Sequence, residues 1–286
     1  GSTSNFMNYL HQTPINEIIG KIPEKINVSG NGNVKLHLMV PFTEPKKTKV
    51  EGNYDFINND IQFKLPVPLL SQVTGTLFFS DKGIRIDKLS SMALNSNAHL
   101  TAATGKAGVM HFNVFVPDLD LKATSRYYFP ITMPIINGRA STNIKFDIAK
   151  SGIEQIVVQS DLVGVKIDAP PPIGKESFIS APLNLVLTPS HNNFVIELTY
   201  ADSMHNKIIL NQHGKLDHGY IAIGSNTLPQ FTPNYPKIIV KVDTPVLASD
   251  AWLIAIINLI RENAEKHKLN LESEAAIATN SEKNKP

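Results

Sequence analysis

Side chains able to do chemistry are thinly spread in this sequence. Gly174-Lys175-Glu176-Ser177 has the ending of a phosphate-binding loop. Ala169 stands where that loop needs its first glycine, however, and Glu176 where a hydroxyl residue must meet magnesium, so no nucleotide cradle is expected. His205, His213 and His218 are close in sequence, but their spacing matches no helical ligand pair, and polar-face histidines on strands account for them. Asp118 and Asp120 alternate in Pro117-Asp118-Leu119-Asp120 and are the carboxylate pair from which a glycosidase could be built. A solvated strand edge or loop explains the same spacing. No Gly-x-Ser-x-Gly elbow occurs, and no spacing of Ser, His and Asp assembles a triad. Cysteine is absent, which removes disulfides, thiolate-bound zinc and thiol catalysis together. The expectation is a protein that is not an enzyme and uses neither metal nor cofactor.

The elements behind these residues read mainly as strands. Leu36 and Leu38 alternate with polar neighbours, and the same period of two, with Val186, Val195 and Ile239 as apolar intervening residues, relates Met110, Phe112 and Val114; Ile144, Phe146 and Ile148; Leu183, Leu185 and Leu187; Phe194, Ile196 and Leu198; and Ile238, Val240 and Val242. Period two over so many segments predicts half-buried strands with one apolar face. Turns are expected at Gly30-Asn31-Gly32, Asn58-Asn59-Asp60, Asp81-Lys82-Gly83, Ser151-Gly152, His191-Asn192-Asn193 and Asp217-His218-Gly219, because Gly, Asn and Asp tolerate the positive φ of tight hairpins. Their spacing predicts a long antiparallel meander. The Pro66/Pro68 and Pro170–Pro172 clusters read as stiff extended crossings. Helix signals are few: a stretch from Tyr9 to Ile22 broken by Pro14, an ambiguous segment from Asp118 to Tyr128, and an apolar run from Ala251 capped by Asp250.

Composition narrows the class. The chain has 286 residues, 42% apolar and 18% charged, with 27 basic and 25 acidic side chains. That apolar share argues against disorder, and a net charge of +2 provides no electrostatic footprint for nucleic acid. No apolar stretch approaches the length of a bilayer span. Gly1-Ser2 resembles the scar of a cleaved tag, and the chain reads as a length cut from something longer. Four segments are expected: a helical or linker segment over 1–24, a curled antiparallel sheet over 25–248, an amphipathic helix over 249–268 and a disordered tail over 269–286.

A single sheet with one apolar face must cover that face. It can close into a sandwich or barrel, curl into an open trough that takes hydrophobic ligands, or dimerise.

Several motifs bear on that choice. Ser160-Asp161-Leu162-Val163-Gly164-Val165, followed by Ala169-Pro170-Pro171-Pro172-Ile173-Gly174-Lys175 and a new strand at Ala181-Pro182-Leu183, resembles a hallmark of the YhdP-type AsmA-like proteins. Val73 to Phe79 with Gly83-Ile84 is similar to that family's hairpin, and Gly219 to Gly224 to one of its strands. Asp243 through Asp250 to Trp252 is similar to its passage into a helix. The matches run in order from about Gly30 to Trp252. His218 stands where the family usually has arginine, and Thr244-Pro245 stretches the Asp-to-Trp spacing.

The resemblance implies a mainly β, taco-like half barrel in a periplasmic bridge-like lipid carrier. The parent protein would be anchored in the inner membrane and would pass phospholipid to the outer membrane. Inner- and outer-membrane components of the envelope would be its partners, and phospholipid its cargo. Under this reading Leu36, Leu38, Met110, Phe112, Val114, Ile144, Phe146, Ile148, Leu183, Leu185, Leu187, Phe194, Ile196, Leu198, Ile238, Val240 and Val242 touch acyl chains. About 14 strands spaced about 4.8 Å apart make a trough on the order of 65 Å long. Burying about 16 methylenes at about 0.8 kcal/mol each is worth on the order of 12 kcal/mol. The alternative is a closed β-sandwich acting as a structural or interaction module of an envelope protein without lipid cargo.

Overall fold

The computed structural model describes residues 1–13, 16, 21–41, 49–63, 68–128, 135–149, 151–190, 193–213, 215–224, 237–243, 250–252 and 254. The predicted tail over 269–286, most of the predicted helix over 249–268, Pro14, Pro66, His191 and Asn192 lie outside these residues.

Helix α1 (Thr3–His11) and the short α2 (Ile22–Lys25) precede a long run of strands. These are β1 (Ile26–Met39), β2 (Lys49–Phe63), β3 (Leu70–Ser80), β4 (Gly83–Ala93), β5 (Ser96–Thr104) and β6 (Met110–Asp120). Helix α3 (Leu121–Tyr128) separates them from β7 (Ile136–Ala149), β8 (Gly152–Ser160), β9 (Val165–Ile167), β10 (Leu183–Pro189), β11 (Asn193–Tyr200), β12 (Met204–Asn211), β13 (Leu216–Ile223) and β14 (Lys237–Val242). The strands form one sheet in which each pairs with its neighbour in sequence, except that β9 continues the line of β8 along β7 and β10 pairs with β8. Among the described residues no ladder joins β14 back to β1, so the sheet is neither a closed barrel nor a two-sheet sandwich.

The meander is antiparallel up to β13. The last pair departs from the expected pattern: β14 runs parallel to β13, with Gly219 opposite Ile238 and Ile223 opposite Val242. A parallel neighbour needs a crossover rather than a hairpin.

Three predicted turns are strand interior instead. Gly30 (φ 102°) makes a bulge inside β1, and Asn58 (φ 53°) lies at an irregularity of β2. The two irregularities face one another: Asn59 is fully buried, its Nδ2 donates to the Asn31 carbonyl at 2.7 Å, and a Cβ on Gly30 would lie 3.0 Å from the Asn59 Cα. Positive φ here bends a ladder instead of reversing it. Asp217-His218-Gly219 also lies within a strand: Asp217 sits at a register shift against β12, and His218 and Gly219 are held between the ladders to β12 and β14. The reversal before it is built at Asn211, whose Oδ1 accepts from the amides of His213 and Lys215. Asp81 to Gly83 and Ser151-Gly152 do form turns, with Gly83 and Gly152 at φ 133° and 126°. The helix expected from Tyr9 begins earlier, at Thr3.

Curvature is the decisive feature of the sheet. Phe63 on β2 and Phe146 on β7 stand with ring centroids 6.3 Å apart, although five strand intervals separate them. On a flat sheet those intervals would span about 24 Å. Lys25 reaches the Ala149 carbonyl of β7 across the same gap, at 3.2 Å. The first half of the sheet therefore rolls round on itself. Its interior is filled by its own side chains and by α1, whose Phe6, Met7 and Leu10 are buried there. Phe6 stacks on Tyr54 at 4.0 Å. Thr3 at the head of the helix is completely buried and hydrogen-bonded to Tyr54 Oη (2.8 Å) and to Asn59 Oδ1. A cavity of about 60 Å³ remains beside Met7 and Leu10. Its lining is almost wholly apolar, including Phe56, Phe63, Leu77, Ile86 and Phe112.

Candidate functional site

Partners across a ladder point to the same side of a sheet, so the register can be followed strand by strand. One row reads Val34, Tyr54, Leu77, Ile86, Ala102, Phe112, Phe146, Ile156, Leu187, Ile196, Ile208, Gly219 and Ile238. The adjacent row reads Gly32, Phe56, Gly75, Leu89, Leu100, Val114, Ile144, Val158, Leu185, Leu198, Asn206, Ile221 and Val240. Neither row contains a charged residue, and the second contains one polar side chain, Asn206. An apolar band thus crosses the whole sheet on one face.

All seventeen residues picked from alternation lie on that face, but in two environments. Met110 and Ile148 are 0% and 1% exposed, and Phe112 and Phe146 are also buried, stacked at 4.7 Å. These four belong to the packed interior of the rolled half, against which Val114 and Ile144 also pack. Leu183, Leu185, Leu187, Ile196 and Leu198 are half-buried. Phe194 is exposed, and so are Ile238, Val240 and Val242 on β14 and Leu36 and Leu38 on β1. From β8 onward the apolar face is only partly covered, and among the described residues no strand pairs with the outer edge of β14.

Alternation missed part of this face. Ile156 and Val158 on β8, Met204, Ile208 and Leu210 on β12, and Ile221 and Ile223 on β13 share it. The signal on β12 was masked by Asn206 and by Ile209, which breaks the period on the other side.

Part of this apolar face is covered by the segment after β8. Leu162 (φ 53°) and Gly164 (φ 96°) turn the chain, and a Cβ on Gly164 would lie 2.3 Å from the Arg139 carbonyl. Ser160 Oγ and Asp161 Oδ1 accept from the amides of Leu162 and Val163. Lys175 sits buried inside this strap, its Nζ donating to the carbonyls of Leu162 (2.9 Å), Val165 and Glu176 (3.2 Å). Burial pushes its pKa below the ordinary lysine value, while Asp161 and Glu176 pull it back. The strap lays Leu162, Val165 and Ile173 against Leu183, Leu198 and Met204, and Tyr200 Oη donates to the Ile173 carbonyl at 2.8 Å. Trp252 Nε1 donates to the Pro171 carbonyl at 3.0 Å, so the strap and the distant tryptophan motif meet.

The remaining candidates are structural. Arg139 binds Asp118 Oδ2 at 2.6 Å and Asp120 Oδ2 at 3.2 Å, as well as the Asn95 and Asp118 carbonyls. Asp120 Oδ1 also accepts from the Ala123 amide, capping α3. A carboxylate pair tied up by one guanidinium and a helix end is not poised for acid–base work. His213 lies against Gln212, and His218 against Asp217.

The register rows present a long uncharged surface suited to apolar matter. The model of a family described as YhdP protein matches residues 1–283. The chain belongs to the YhdP protein family. Among curated proteins it is 24% identical, over 259 residues, to the intermembrane phospholipid transporter YhdP of Escherichia coli (strain K12). The aligned part is 86% of this chain and 20% of that relative, so the chain spans about a fifth of the relative's length. No solved structure matches the chain.

Proposed function

We propose that this chain is a length of an apolar β-groove that carries phospholipid between the inner and outer membranes, with acyl chains lying along the face from β8 to β14. The observation that carries the proposal is the uncharged register row that runs unbroken from β1 to β14. Family membership and the transporter relative support the cargo. The periplasm is the compartment this reading requires, with the parent protein anchored in the inner membrane and working with envelope components at both ends.

The half from β2 to β7 plays a different part. Its apolar face is filled by α1, so acyl chains are assigned to the later strands. Head groups stay in water along the open side, since placing a charge on an uncharged apolar row would carry a large desolvation penalty. Even lining favours passage, because about 0.8 kcal/mol per buried methylene, repeated from strand to strand, leaves no deep local trap.

Native mass spectrometry of protein purified from a Gram-negative host tests the proposal. Co-purifying phospholipid is the expected result. Consistently lipid-free protein that takes up no lipid from vesicles would overturn it.

A further inference from the structure

A cleft of about 700 Å³ opens on the polar face of the sheet, behind the apolar rows. That volume is in the range of small-ligand sites. Its lining includes one register row: Asn143 on β7, Gln159 on β8, Asn184 on β10 and Thr199 on β11. The row begins one strand earlier with Phe115 on β6, the direct partner of Asn143, which is 42% exposed. The rest of the lining comes from the start of the strap, the residues before β10 and the turn after β11. Backbone bonds fix these segments to one another: the Ala181 amide donates to the Asp161 carbonyl at 2.8 Å, and the Ala201 amide to the Pro182 carbonyl at 2.7 Å. Gln159 Nε2 donates to Asn184 Oδ1 at 3.1 Å, so the two amides are held side by side. The side chains of Asn143 and Asp202 form no hydrogen bond or ion pair among the described residues.

The chemistry of this lining is selective. It contains the carboxylates of Asp161 and Asp202 and no lysine, arginine or histidine, so an anion such as a lipid phosphate meets like charge and no cation. Among the described residues no three acidic or histidine side chains gather to hold a metal ion. An apolar ligand would strip water from the amides without replacing their hydrogen bonds. A neutral molecule rich in hydroxyls suits them, since each hydroxyl both donates and accepts, and amides and carboxylates complement it. A pyranose ring also has an apolar C–H face, for which an exposed aromatic ring is a flat, electron-rich partner. Strands stand about 4.8 Å apart, close to the length of one pyranose unit, so successive sugars can meet successive strands. We propose that the polar face from β6 to β11 binds a neutral oligosaccharide, stacked on Phe115 and hydrogen-bonded by Asn143, Gln159 and Asn184. The site lies on the opposite face from the lipid groove and does not depend on it.

Titration calorimetry of the purified chain with maltohexaose, cellohexaose and chitohexaose tests the proposal. At least one of them should bind, and hexagalacturonate should bind at least about tenfold more weakly, since its carboxylates face Asp161 and Asp202. Phe115→Ala and Asn143→Ala should each weaken binding by about three- to tenfold, and the double variant by about tenfold or more, with circular dichroism showing that each stays folded. Vesicles containing digalactosyldiacylglycerol separate two sources of the same sugar chemistry: binding of the free oligosaccharide assigns the site to a soluble glycan, and binding of the vesicles alone assigns it to a glycolipid head group. Failure of every neutral probe to bind, or full binding by the folded double variant, would overturn the site. Hexagalacturonate binding as tightly as the neutral sugars would overturn the chemistry assigned to it. The groove reading stands under any of these results.

Discussion

Two substitutions on a single register row separate the packed half of the sheet from the open half. Phe146 and Ile196 are joined through Ile156 and Leu187, and aspartate at either position places a charge on the same apolar face. Phe146 is 9% exposed, stacked on Phe112 and edge-on to Phe63. Losing such a ring costs about 3–5 kcal/mol through the cavity alone, and an unpaired carboxylate adds more. Against a typical total of about 5–15 kcal/mol, Phe146→Asp should lower the melting temperature by about 6–20 °C, at about 2–4 °C per kcal/mol for a chain of this size. Ile196 is half-buried beside the trough, so Ile196→Asp should cost about 1 kcal/mol of stability. If its side chain covers three or four methylenes of a bound acyl chain, losing them weakens lipid binding by about 3 kcal/mol, which is about a hundredfold. Circular-dichroism melts paired with lipid extraction read both quantities. A folded Ile196→Asp that keeps its full lipid load would refute the placement of acyl chains on the later strands. A Phe146→Asp that melts like the wild type would refute the filled interior of the first half.

Other outcomes follow from the same geometry. Leu10→Ala should destabilise by about 2–5 kcal/mol, because Leu10 of α1 is 1% exposed within the rolled half; an unchanged melt would mean that α1 does not fill it. Lys175→Met should cost about 2–3 kcal/mol, since three strap carbonyls lose their donor, and hydrogen exchange across 161–176 should rise. Arg139→Ala should lower the melting temperature without changing lipid load, as the guanidinium ties Asp118 and Asp120 to the loop at Asn95; altered loading would refute its purely structural role. Burial holds the Tyr200 phenol above its ordinary pKa, so the folded state keeps a proton that the unfolded chain releases. The associated stabilisation is complete below about pH 10 and is lost as pH rises through the folded value. Tyr200→Phe should flatten that alkaline decline in chemical denaturation, and an equally steep decline would rule Tyr200 out as its source.

Much of the fold was legible because alternation is a local property. Ile144, Phe146 and Ile148 read as one face of a strand from their own neighbours, and the ladders align that face with Leu185 and Ile196 without exception. Bulges were less legible. Gly30-Asn31-Gly32 and Asn58-Asn59-Asp60 carry residues that suit a hairpin, and only their pairing to each other makes them a double irregularity within β1 and β2. Asp217-His218-Gly219 misled for a similar reason, since its residues serve a bulge at Asp217 and a strand paired on both sides from His218. Asp118 and Asp120 could not be assigned until Arg139 was found between them.

The sequence by itself determined which side chains share a face, because period two relates residues only two apart. It also determined that this face is uncharged, and the order of motifs pointed to the family. Tertiary structure alone decided which part of the face is core and which is open. That depends on curvature, which brings Phe63 to Phe146, and on α1 landing over β2 to β7 with Thr3 held by Tyr54 and Asn59. Met110 and Val240 carry the same alternating signal, yet one is sealed at 0% exposure and the other is 54% exposed. Burial is set by what the sheet curls around, and the residues that fill the roll lie far away in sequence.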